Sequence, residues 1–232
     1  MIKSKIKIRT RYVPAGIKIL YEDRDIIVID KSSGLLSVKA NYEKDKTAYS
    51  LLTTYIRKGY AKTKIRLFVV HRLDRETSGV MIFAKSYEIR EKFATQWPNI
   101  EKKYLALVHG KLPEKTGIIE SYLTEDADYK VRSVDDSEKG DLAKTKYKVL
   151  KEAKNTSLLE IELLTGKKNQ IRVQLSEKGY PVVGDEKYGR ENTSKVKVRL
   201  ALHAWSIKFK HPFTNEEMLF ETVVPGCFSN FI

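Results

Sequence analysis

The stretch His71-Arg72-Leu73-Asp74-Arg75-Glu76-Thr77-Ser78-Gly79 holds the residues best suited to chemistry. It gathers a histidine, two arginines and two acids, and closes on a turn-forming Thr-Ser-Gly. Apolar runs bracket it, Leu67-Phe68-Val69-Val70 before and Val80-Met81-Ile82-Phe83-Ala84 after. Both runs read as buried strands. Charges crowded between two core strands are costly unless they are paired or used. Asp74 is the residue of most interest. A carboxylate stripped of water keeps its charge only when a cation or hydrogen-bond donors stand close by. Arg72 and Arg75 are near in sequence, and a distant arginine would serve as well. Kept ionised in a dry pocket, Asp74 is a competent nucleophile or base. On the local residues alone, a structural ion pair closing a hairpin explains the pattern equally well.

The elements that must position this stretch can be read around it. Ile17 to Tyr21 and Ile26 to Asp30 form two short strands flanking Glu22-Asp23-Arg24-Asp25, and Lys31-Ser32-Ser33-Gly34 is a turn signal. Thr47 to Lys58 reads as a helix, with Ala48, Leu51, Leu52, Tyr55 and Ile56 at helical spacing and Gly59 to end it. Ser86 caps a second helix that carries Ile89, Phe93 and Trp97 and stops at Pro98. Lys102 to Gly110 reads as a strand and turn. Residues 125–141 read as a long, mobile, solvated surface loop. From Ala143 to Val149 apolar residues alternate with Lys144, Lys146 and Lys148, a half-buried strand whose lysine face shields an edge or meets a polyanion. Thr156 to Leu164 is its partner. In Thr165-Gly166-Lys167-Lys168-Asn169-Gln170-Ile171-Arg172-Val173-Gln174-Leu175 the Gly-Lys pair suggests a phosphate loop, but the first glycine of that motif is missing.

Composition narrows the classes. Lys and Arg total 44 against 30 Asp and Glu in 232 residues, a formal charge of +14. That excess is the electrostatic footprint of a polyanion binder, RNA or DNA. Hydrophobic residues make up 41% and supply a sizeable core. The single cysteine, Cys227, rules out an internal disulfide and a cysteine zinc cluster and suits a reducing cytoplasm. No apolar run approaches the ~20 residues of a membrane-spanning helix, and the first residues lack the apolar core of a signal peptide. Residues 1–16 are expected to form a basic arm, and 17–232 a catalytic domain.

The Asp74 stretch, followed by Val-Met-Ile-Phe-Ala-Lys, resembles the signature of RluA-type pseudouridine synthases: His-Arg-Leu-Asp, a variable pair, Thr-Ser-Gly, then an apolar strand ending in Ala-Lys. Protein kinases carry His-Arg-Asp-Leu instead, together with motifs absent here. A second match is Lys102, Tyr104, Ala106, Val108 and Gly110, similar to the family's Lys-x-Tyr-x-Ala-x-Val-x-Gly. A third runs through Thr165 to Gln174, usually Thr-Gly-Arg-Thr-His-Gln-Ile-Arg-Val-His. There Lys167, Lys168, Asn169 and Gln174 depart from the pattern. Gly179 to Gly189 is similar to the family's Pro-Ile-x-Gly-Asp-x-x-Tyr-Gly turn, with Asp185 read as structural. Leu200 to Ala204 resembles its final motif.

The resemblance implies an α+β fold with a mixed, largely antiparallel central sheet, flanking helices and a central catalytic cleft. It implies an RNA substrate, ribosomal or transfer, acted on by a monomer in the cytoplasm with no cofactor and no metal. Asp74 is then the catalytic carboxylate, Arg172 the distant cation paired with it, and Tyr104 the ring against the target base. Arg72 would help displace the base. His71, Leu202, Gln170 and Lys102 complete the expected substrate contacts. Two other readings carry weight beside this one: an RNA-binding or assembly protein that has lost catalysis, suggested by the altered third motif, and a hydrolase built on Asp74 and His71.

Overall fold

The structure is a computed structural model, and it describes residues 13–40, 43, 45–57, 65–189 and 198–231. Most of the expected basic arm and the Gly59 helix stop lie outside the described residues. The chain divides into two compact units, Met1–Ile100 with Lys208–Thr222, and Glu101–Ile207 with Val223–Ile232.

In the first unit, strands β1 (Ile17–Glu22), β2 (Ile26–Lys31), β3 (Phe68–Val69) and β4 (Ser78–Ala84) pair antiparallel. β2 lies between β1 and β4, and β3 adds to β4. Every residue of β4 is buried, as its unbroken apolar run demands. Helix α1 (Ala48–Ile56) starts at a capping box. Thr47 Oγ1 accepts from the Ser50 N–H, and Ser50 Oγ accepts from the Thr47 N–H. Helix α2 (Tyr87–Gln96) begins at the expected Ser86 cap and buries Ile89 and Phe93. A 3-10 turn, Trp97–Asn99, follows it with Pro98 inside.

The second unit contains β5 (Glu101–His109), β6 (Thr116–Glu125), β7 (Val131–Val134), β8 (Asp141–Glu152), β9 (Thr156–Leu163), helix α3 (Gln170–Glu177) and the start of β10 (Leu202–Lys210). The strands lie in the order β10-β5-β9-β8-β6-β7. The pairings of β5 with β9, β9 with β8, and β6 with β8 and β7 are antiparallel. Strand β11 (Glu217–Glu221), in the first unit, pairs β10. The α+β class with largely antiparallel sheet and flanking helices is as expected.

One expectation fails in part. Residues 125–141 are largely exposed, as expected, but they are not a continuous loop, because β7 lies within them. Asp126 Oδ1 accepts from the N–H groups of Asp128 and Lys130 and closes the turn, and Val131 is buried with Leu123, Ala143, Val173 and Tyr188. The apolar alternation of β7 is too short to announce a strand, and its burial comes from α3, far away in sequence.

The lysine face of β8 also takes a definite form. Lys144 pairs with Glu120 at 2.9 Å and Lys146 with Glu162 at 3.0 Å, on the neighbouring strands. Lys148 stands opposite Glu160 in register. These cross-strand pairs make the face zwitterionic.

Candidate active site

In the first unit the chain leaves β3 at Val69 and returns as β4 at Ser78, and Val70 to Thr77 form the intervening loop. The loop is fixed through its backbone. Ser37 Oγ donates to the Leu73 carbonyl at 2.6 Å and accepts the Leu73 N–H at 3.0 Å. Lys31 is fully buried, and its ammonium donates to the carbonyls of Ser32, Leu35 and Arg75 at 3.1, 2.7 and 3.2 Å. The Gly34 N–H donates to the Arg75 carbonyl at 2.8 Å, while Arg75 Nε returns a bond to the Gly34 carbonyl at 3.1 Å. Ser33 Oγ reaches the Glu76 carbonyl at 2.6 Å. Gly34 has φ +86, a conformation that favours glycine, so the turn that clasps the loop depends on it. Asp74 is half-buried, and its backbone carbonyl accepts the Thr77 N–H at 3.2 Å in a tight turn that it heads. Arg72 is exposed. His71 is half-buried against Trp97, with ring centroids 4.9 Å apart.

In the second unit Tyr104 and Lys102 stand two apart on β5 and so share a face. Tyr104 packs against the core cluster of Ala106, Ile171 and Leu202. Leu202 itself is buried in that cluster. Lys102 is buried, and burial pulls its amine below the usual lysine range, with Glu162 opposing the shift.

Arg172 lies in the first turn of α3. Its guanidinium grips Asp185 in a fork, Nε to Oδ2 at 2.7 Å and Nη2 to Oδ1 at 2.8 Å, with both side chains essentially removed from water. Asp185 Oδ1 also accepts the N–H groups of Lys187 and Tyr188, both at 2.9 Å. Burial pushes the Asp185 carboxyl up, but the Arg172 bonds and charge together with those two N–H groups outweigh it, so it sits below the usual carboxylate range. The guanidinium carbon also lies 5.3 Å from the Tyr188 ring centroid. Asp185, read from the sequence as structural, is thus the residue that aims Arg172.

Gln170 does not present its carboxamide to a ligand as expected. Its Oε1 accepts from Thr165 Oγ1 at 2.8 Å and the Lys167 N–H at 2.9 Å. Its Nε2 donates to the Lys144 carbonyl at 3.0 Å and to Thr145 Oγ1 at 2.8 Å. All four hydrogen-bonding positions are used, two on the loop ahead of α3 and two on β8. The departures from the third motif find partners of their own. Lys167 pairs with Asp141 at 3.2 Å, and Lys168 pairs with Glu125 and lies 5.5 Å from the exposed Tyr129 ring. Asn169, held at φ +52, donates to the Tyr188 hydroxyl at 3.0 Å. Gln174 Nε2 reaches Ser121 Oγ at 2.9 Å and the Ala143 carbonyl at 3.0 Å.

Among the described residues, antiparallel strands and three α-helices make an α+β protein, with a clasped Asp-bearing loop in the first unit and a buried arginine–carboxylate pair in the second. Residues 25–177 match the family model described as RNA pseudouridylate synthase. The chain is 35% identical over 219 residues to ribosomal large subunit pseudouridine synthase D of Nitrosomonas europaea, covering 90% of this chain and 62% of that protein. It is 35% identical over 211 residues to the dual-specificity RNA pseudouridine synthase RluA of Haemophilus ducreyi, covering 88% of this chain and 91% of that one. Among solved structures, human RNA pseudouridylate synthase domain containing 4 superposes with a TM-score of 0.74 at 25% identity, covering 91% of this chain and 90% of that one. This chain belongs to the RNA pseudouridylate synthase family. It spans about three-fifths of the length of its synthase D relatives, 62% of one and 60% of another.

Proposed function

We propose that the protein is an RNA pseudouridine synthase that isomerises a specific uridine in ribosomal or transfer RNA. The glycosidic bond moves from ring nitrogen 1 to ring carbon 5, the hydrogen on carbon 5 is lost to solvent as a proton, and nitrogen 1 takes up a proton. The reaction consumes no group donor and changes no oxidation state, so the proposal includes neither metal nor cofactor. The protein acts as a monomer in the cytoplasm. Relatives named for the large ribosomal subunit support ribosomal RNA as the first substrate class to test. The observation that carries the reading is the signature loop, with Asp74 at the head of a turn clasped by Lys31, Ser37 and Gly34.

In this assignment the target base leaves its stack, at a cost of a few kcal/mol. Arg72, exposed on the loop, takes the vacated place. Asp74 acts on the nucleoside as nucleophile or base. Tyr104 stacks on the loosened base as it turns, an interaction worth about 1–3 kcal/mol. Arg172, aimed by Asp185, keeps Asp74 charged. Leu202 and Lys102 line and hold the site, and Gln170 positions the α3 loop.

The test is tritium release from uridine labelled at ring carbon 5. The wild type releases label, while Asp74→Asn binds the same RNA and releases none. Release by Asp74→Asn at the wild-type rate removes Asp74 from the chemistry. RNA binding by the wild type without release on bulk ribosomal and transfer RNA favours the binding-only reading, which the four departures in the third motif support.

A further inference from the structure

We infer that His71 is a positioning residue that holds the Asp74 loop as a neutral imidazole, its Nε2 replacing the acceptor of a missing strand rung. The inference rests on the synthase reading above. β3 and β4 pair with Phe68 opposite Ala84 and Val69 opposite Phe83. Counting onward in an antiparallel ladder, Val70 would face Ile82. β3 ends at Val69, because the chain there turns away to become the loop. Ile82 is fully buried in β4, and its N–H donates to His71 Nε2 at 3.1 Å. The imidazole thus supplies the acceptor that the departing strand takes away.

The chemistry of this bond is one-sided. A backbone N–H only donates, so Nε2 must present its lone pair, and Nδ1 carries the proton in the neutral ring. A proton on Nε2 would set donor against donor. The ring is held from a second side by Trp97, at 4.9 Å between centroids and tilted 33°. Two residues on, Ser37 fastens both backbone polar groups of Leu73. The chain is therefore pinned at His71 and again at Leu73, directly ahead of Asp74. The expectation from the sequence was that His71 contacts substrate. A substrate contact and a loop anchor differ in what they change: removing the first raises KM, and removing the second lowers kcat by displacing the carboxylate. A displacement near 1 Å costs roughly a hundredfold.

Three measurements test the inference. The wild-type protein labelled with 15N-histidine should show His71 protonated at Nδ1 and bare at Nε2 at neutral pH. His71→Ala should lower kcat by roughly ten- to a hundredfold with KM near the wild-type value. His71→Gln places a carbonyl oxygen near the position of Nε2 and should recover most of the kcat lost in His71→Ala. Glutamine no better than alanine, a rise in KM with kcat preserved, or a ring protonated at Nε2 would each overturn it. The 15N measurement stands even where a variant does not fold. Loss of the synthase reading registers separately, as a wild-type protein that converts no uridine.

Discussion

Asp185→Asn isolates the residue that aims Arg172. The substitution keeps volume and shape and removes one charge. In the wild type both partners are buried, with side chains 7% and 0% exposed, and the carboxylate takes two bonds from Arg172 and two from backbone N–H groups. An amide in its place has one acceptor atom. If its nitrogen occupies the Oδ2 position it faces Arg172 Nε, and if it occupies the Oδ1 position it faces three donors. Either orientation takes the Asp185 charge away from a buried guanidinium. Breaking such a pair costs about 3–5 kcal/mol, and roughly 2–4 °C in Tm per kcal/mol for a chain of this size makes the loss about 6–20 °C.

The pH dependence has a definite sign. The Asp185 carboxyl lies below its ordinary value, so its contribution to stability is complete above the unfolded pKa near ~3.9 and fades as pH falls through the lower folded value. The gap between wild type and Asp185→Asn should therefore be widest near neutrality and close in acid. Urea denaturation of both proteins from pH 7 to about pH 2 reads this directly, the narrowing falling below about pH 4. A gap below about 1 kcal/mol at pH 7, or one that stays constant into acid, would refute the reasoning.

Two further outcomes follow from the same geometry. Lys31→Met keeps the buried stem but leaves the carbonyls of Ser32, Leu35 and Arg75 without their shared donor. It should destabilise the protein by about 2–4 kcal/mol in urea and lower kcat more than KM. Lys144→Ala with Lys146→Ala should leave RNA affinity within about twofold and its dependence on salt unchanged, because Glu120 and Glu162 on the neighbouring strands offset both lysine charges at the surface. In a titration of affinity against salt, about six phosphate contacts to single-stranded RNA give a log–log slope near −4, and the double variant should keep that slope.

The readings that survived were local ones. Ser86 caps its helix because a serine before an apolar periodic run can satisfy an N–H three residues on. The Val80 to Ala84 run is short, follows Gly79 and holds Val80, Ile82 and Phe83, which favours a buried strand over a buried helix. The readings that changed depend on partners far along the chain. Gln170 looked like a ligand contact until Thr145, twenty-five positions away, was seen to take its amide. Val131 gave no strand signal, since its burial depends on Val173 and Tyr188. Lys31 read as part of a turn, and only its three carbonyl partners reveal that it clasps the Asp74 loop. Buried polar residues are the hardest to read in one dimension, because what makes them tolerable is supplied by tertiary structure.

The zwitterionic face of β8 reaches beyond that strand. With these lysines matched to acids, the surplus of positive charge must be carried by other stretches. Lys3, Lys5, Lys7, Arg9 and Arg11, then Lys58, Lys62 and Lys64, then Arg190, Lys195 and Lys197 lie among few acids in the chain. All fall outside the described residues. On the proposed function, sequence-independent grip on a polyanion draws on the charge of those stretches, while the chemistry draws on the Asp74 loop.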